Sequence, residues 1–163
     1  MASATTTAFQ PVGRMEHLER LAILAESPAA AAALWDDVHE SVQSDLALLE
    51  AEVRRTIPGV RVDIGRTHGG RFYLFSYRTF SLPDGHVDPV VAGVTFAPAP
   101  DGVTVEADVN GEQTGDWIAA VPCKTVVTSR DALLHAAHDS ARRLCGFADA
   151  VAAALRDPSR NVN

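Results

Sequence analysis

RFYLFSYRTF, Arg71 to Phe80, holds five of the ten aromatic residues of the 163-residue chain. Extended, it puts Phe72, Leu74, Ser76, Arg78 and Phe80 on one face and Arg71, Tyr73, Phe75, Tyr77 and Thr79 on the other. Both faces carry large apolar groups. Which of them meets the core decides how the rest of the chain is arranged.

The segment before it supplies the partner strand. Val60, Val62 and Ile64 alternate with Arg61 and Asp63, and His68-Gly69-Gly70 reads as a turn. An even loop at residues 67–70 pairs Arg66 with Arg71, Ile64 with Tyr73, Val62 with Phe75 and Val60 with Tyr77. The expected core face is then Val60, Val62, Ile64, Tyr73, Phe75 and Tyr77. The other face carries Arg61, Asp63, Phe72, Leu74, Ser76, Arg78 and Phe80, a mixture that calls for a cover, because contiguous apolar patches are uncommon on monomers. A loop of three residues exchanges the two faces. The covers open to it are the chain's own closing helix, a second copy of the chain, or a different partner.

Working outward, the period changes to that of helices. Met15, Leu18, Leu21 and Ala22 predict a short helix over residues 14–26, behind a Thr-rich start (1–12) expected to be disordered. Ser27 and Pro28 open a second, long helix. Leu34, Val38, Val42, Leu46, Leu49 and Val53 step by three or four along one stripe until Pro58-Gly59 stops it.

After the aromatic strand, Leu82-Pro83-Asp84-Gly85, Pro98 to Gly102 and Asn110-Gly111 are turn signals. They separate strands over about 89–97, 103–109 and 117–127. Pro122 places the last of these at an edge or a bulge. Thr128 is the expected cap of a closing helix whose stripe is Leu133, Leu134, Ala137, Ala141, Leu144, Ala148, Val151 and Leu155, ended by Asp157-Pro158 and followed by a short tail. The expected fold is a single α+β domain: an antiparallel meander of about five strands flanked by a long N-terminal helix and a C-terminal helix.

Charge is unevenly spread. Residues 1–53 have two arginines against nine acids, net −7; residues 54–80 have six arginines against Asp63, net +5. Residues 81–123 contain seven acids and no base, net −7, and residues 124–163 carry six bases against four acids, net +2. A basic first hairpin and acidic later strands thus share a sheet. Nucleic acid is not the expected partner, because an overall charge of −7 opposes phosphate binding and RFYLFSY lacks the small residues of the RNA-recognition signature.

Chemistry-bearing motifs are few. Cys123 and Cys145 form no disulfide framework or zinc spacing. Asp84, His86 and Asp88 alternate in a loop, and Asp131, His135, His138 and Asp139 share a helix face, but turn chemistry and a solvated face account for them without a metal. GRTHGG (65–70) lacks the lysine and hydroxyl residue of a phosphate loop. No cofactor is expected. Nor is a membrane span: the apolar run 21–34 is interrupted by Glu26 and Pro28. Two thiols without a pairing pattern suit the cytoplasm, and thirteen arginines against one lysine suit a GC-rich bacterial genome.

In layout alone, this order is similar to that of small bacterial secretion chaperones and some immunity proteins. The expectation for function is a noncatalytic protein-binding module, chaperone-, adaptor- or immunity-like and homodimeric. Its contact residues would be Arg61, Phe72, Leu74, Arg78 and Phe80, aromatic and arginine side chains being frequent anchors. The alternative is a small-ligand binder or enzyme with a pocket between sheet and helix, built on Arg71, Tyr73 and Tyr77 or on His135 and His138.

Overall fold

A computed structural model describes residues 28–69, 73–85, 89–99, 102–111 and 117–156. Helix α1 (Pro28–Thr56) is followed by five strands, β1 (Arg61–Gly69), β2 (Tyr73–Ser81), β3 (Val90–Ala99), β4 (Gly102–Gly111) and β5 (Trp117–Val127), and by helices α2 (Arg130–Cys145) and α3 (Ala148–Arg156). The sheet order is β1-β2-β3-β4-β5 and every neighbouring pair is antiparallel. The fold is the expected α+β meander. The predicted helix over 14–26 and the two tails lie outside the described residues.

The long stripe of α1 is wholly inside: Leu34, Trp35, Val38, Val42, Leu46, Leu49 and Val53 are all buried. At 1.5 Å per residue α1 spans roughly 40 Å, enough to cross the sheet. Arg54 and Arg55 sit in its last turn, where cations suit the helix dipole. Pro58, which has no N–H to donate, and Gly59 at φ +82° then end it.

Two expectations shift in detail. The closing helix is capped by Ser129, whose Oγ accepts from the Ala132 N–H at 3.2 Å, one residue later than Thr128. It is also two helices, interrupted at Gly146-Phe147, yet the stripe survives the break: Leu133, Ala137, Ala141, Leu144, Ala148, Val151 and Leu155 are buried, and Leu134 is half-buried. Pro122 lies on an edge strand, as expected. Glu106 pairs with Lys124 but Asp108 with Ala120, so Val121, Pro122 and Cys123 together stand opposite Ala107 in a bulge.

The first hairpin corrects the expected register. Only residues 70–72 separate β1 from β2, and Val62 pairs with Phe80, Ile64 with Arg78, Arg66 with Ser76 and His68 with Leu74. The odd loop exchanges the faces. Leu74 and Phe80 are fully buried and Arg78 is 4% exposed, in one core with the stripes of all three helices. Phe75 and Tyr77, expected inside, lie on the opposite face, and Ile64 on edge strand β1 is 61% exposed.

Glycines explain why this register wins. A Cβ on Gly65 would stand 2.7 Å from the Tyr77 ring, and one on Gly93 would stand 2.6 Å from the Phe75 ring. Those cross-strand positions have no side chain, so both rings fold down onto the sheet.

Candidate functional site

Three groupings of polar or aromatic side chains stand out, and they differ in how far solvent reaches them.

The first lies between α1 and β2 and is buried. Arg78 Nη1 donates to Glu50 Oε2 and its Nη2 donates to the Gln43 carbonyl at 2.8 Å. Gln43 Nε2 in turn donates to the carbonyls of Gly65 and Tyr77, each at 3.2 Å. His39 Nδ1 is hydrogen-bonded to Ser76 Oγ. Burial pulls the Arg78 guanidinium below its ordinary pKa, with Glu50 opposing the shift. A serine beside an imidazole invites comparison with a nucleophile and its base, but Ser76 is fully buried and no substrate carbonyl reaches it. This seam fixes α1 against the first hairpin. The same type of contact ties α2 to α1, where His138 Nδ1 and Arg142 both meet Asp45, the latter at 3.5 Å.

The second grouping is a cleft of about 430 Å³ between β5 and α2, lined among others by Lys124, Thr125, His135, Ala136, Asp139 and Arg143. Arg143 is paired with Asp139 at 2.9 Å, and both are half exposed. His135 opens on this cleft whereas His138 turns to Asp45, so the two histidines do not act together. Among the described residues no group of three or more His, Cys, Asp or Glu side chains is placed to hold a metal ion.

The third is the face of the sheet turned away from the helices. One row across it reads Gly65, Tyr77, Gly93, Asp108, Ala120; the next reads Thr67, Phe75, Thr95, Glu106, Lys124. Phe75 and Tyr77 stack at 5.1 Å between centroids with 19° between planes, and both are half-buried. Beyond Gly93 stands Asp108, which accepts a hydrogen bond from Thr95 Oγ1. Burial raises its carboxyl to about 6, against the Thr95 hydrogen bond, which favours the charged form. Glu106 is 3.6 Å from Lys124, and Val126 is 51% exposed at the same face.

Of the residues expected to contact a partner, Arg61 remains on this open face, its Nη2 donating to the Pro83 carbonyl. Leu74, Arg78 and Phe80 do not: the helices cover them, so they are lost to any outside contact. Arg71 and Phe72 lie outside the described residues, and only the backbone of Tyr73 is described, at the end of β2. Tyr77 is on the open face, far from the cleft that holds His135. From the sequence Asp108 and Glu106 are expected only as cross-sheet partners of Arg61 or Arg78, but Arg78 pairs with Glu50 and Arg61 donates to the Pro83 carbonyl. Thr95 was not singled out, because its bond to Asp108 joins two strands.

The carboxyl makes a prediction of its own. Its pKa is higher in the folded chain (about 6) than its ordinary 3.8, so the folded state holds the proton more tightly. Its favourable contribution is complete below pH 3.8 and is lost as pH rises through about 6. Asp108→Asn is therefore expected to raise Tm by a few degrees at neutral pH, with the gain vanishing in melts below about pH 4. A gain that persists unchanged into acid would refute this assignment.

Compared with protein-family profiles, with curated proteins and with solved structures, the chain finds no match in any of the three.

Proposed function

We propose that the chain is a noncatalytic protein-binding module, chaperone-, adaptor- or immunity-like and acting in the bacterial cytoplasm, that takes its partner on the open face of the sheet. A second copy of the chain is the first candidate for that partner. The observation that carries this reading is the Phe75–Tyr77 stack on a face from which all three described helices are absent.

Size supports it. Strands of nine to eleven residues at about 3.3 Å per residue, set about 4.8 Å apart, offer roughly 600 Å² per copy, near the lower limit of a specific interface. No helix among the described residues is long and apolar enough to cross a membrane.

Native mass spectrometry at micromolar concentration tests the reading, with Tyr77→Asp as the variant. The expected outcome is a dimer or a retained protein partner that Tyr77→Asp dissociates while Tm stays within a few degrees. A strict monomer that retains no protein and is unaffected by Tyr77→Asp would sink it.

The cleft between β5 and α2 supports a second reading, a small-ligand binder. Its volume falls in the range of roughly 300–1,000 Å³ usual for ligand pockets. Its charged groups, however, are on the rim, with Lys124 68% and Arg143 52% exposed. A small molecule retained in the same spectrum and lost in His135→Ala would favour it.

A further inference from the structure

The charged side chains of the open face are not balanced. Arg61 is held by the Pro83 carbonyl at one corner, and Lys124 is neutralised by Glu106. Asp63 and Asp108 meet no cation within ion-pair distance among the described residues, and the one hydrogen bond found for Asp108 there comes from Thr95. Asp108 is also partly withdrawn from water, an arrangement unfavourable to the fold. Groups that work against folding are concentrated where binding or catalysis uses them.

Next to this carboxylate is Gly93, over which the Phe75 ring lies; the Tyr77 ring stacks on its far side, over Gly65 on β1. An aromatic stack whose near ring lies one strand spacing, roughly 5 Å, from an uncompensated carboxylate suits one side chain type in particular. A guanidinium or ammonium is attracted by the ring faces and hydrogen-bonds to the acid, while its aliphatic stem covers apolar surface.

We propose that the open face receives a basic segment of a partner protein, one arginine or lysine of which lies along the Phe75–Tyr77 stack and sets its cation on Asp108. This rests on the reading of the open face as a docking surface and names what that surface selects. A second copy of the chain meets this requirement with an arginine-bearing segment rather than with its own Asp108 and Glu106.

The groups that face Asp108 among the described residues are Thr95 on β3, Glu106 on its own strand, Lys124 on β5 and the Phe75 ring over Gly93. Binding should therefore weaken as pH falls below about 6, where Asp108 takes up its proton.

The test uses a labelled Arg-Gly repeat peptide, with a Glu-Gly repeat of the same length as control, titrated by fluorescence anisotropy and amide shifts at moderate salt. The expected result is saturable binding of the Arg-Gly peptide alone, with shifts centred on Phe75, Tyr77, Thr95 and Asp108. Asp108→Asn and Tyr77→Ala should each weaken it about 5- to 10-fold. Glu40→Gln, an exposed acid on α1, should change it less than about 2-fold, which separates a site from general attraction to an acidic protein. Where Tyr77→Ala does not fold, Phe75→Leu replaces it. Equal loss in Glu40→Gln, shifts confined to the helices, or binding of the Glu-Gly peptide would each overturn the proposal. If Tyr77→Ala weakens binding and Asp108→Asn does not, the cation assignment fails and the docking surface stands; if neither does, both fail.

Discussion

Arg78→Ala is expected to destabilise the chain by about 3 kcal/mol, the lower end of what removing one partner of a buried ion pair costs. The guanidinium is 4% exposed and joins three parts of the structure: Glu50, the Gln43 carbonyl and β2. Without it a helix carbonyl loses its donor. Glu50 keeps one cation, Arg54 at 2.9 Å, which is why the lower end applies.

For a chain of this length the loss corresponds to roughly 6–12 °C in Tm. Arg78→Lys, which keeps the charge but not the fork that meets two acceptors, should fall between wild type and alanine. Thermal melts and urea midpoints measure this directly. A near-neutral Arg78→Ala would mean that the seam between α1 and β2 contributes no stability, and that the buried position of Arg78 is wrong.

Phe80→Ala should cost as much or more, about 3–5 kcal/mol, because deleting a large buried ring loses its transfer energy and leaves a cavity. Phe80 is fully buried, pairing with Val62 on β1 and Val90 on β3. The same change at Phe75, half-buried on the open face, should cost well under half of that, since neighbouring water replaces the lost contact.

The contrast between the two phenylalanines is the sharpest measurement of the hairpin register. With an even loop, Phe75 would be the costly position and Phe80 the silent one. The expected order of urea midpoints is therefore Phe80→Ala well below Phe75→Ala, and a reversed order would restore the other face to the core. Like Arg78→Ala, Phe80→Ala tests folding rather than partner binding.

Much of this architecture was legible in the sequence. The apolar steps from Leu34 to Val53 can be satisfied only by a helix with one buried side, and the turn residues after Ser81 and around residue 100 leave room only for short antiparallel connections. These are local signals, carried by residues close to one another in the chain. Ser129 in place of Thr128 as a cap, and the break at Gly146, are differences of the same local kind, too small to alter which side of each helix is buried.

The candidate site was hidden for a different reason. Arg78 looked like a surface anchor because the groups that neutralise it are far from it in the chain. Its acceptors are on α1, 28 and 35 residues away in the chain. An even turn sets Phe75 and Tyr77 opposite Val62 and Val60 and so in the core; only the pairing shows Gly65 and Gly93 lying beneath the two rings.

What the amino-acid order determined by itself is the succession of elements and the buried stripe of each helix, since periodicity and turn chemistry act over a few residues. Which face of the aromatic strand is covered was decided by tertiary structure alone. Both faces offer comparable apolar area, so the choice fell to a loop length of three residues, two distant glycines and a helix that satisfies a buried guanidinium.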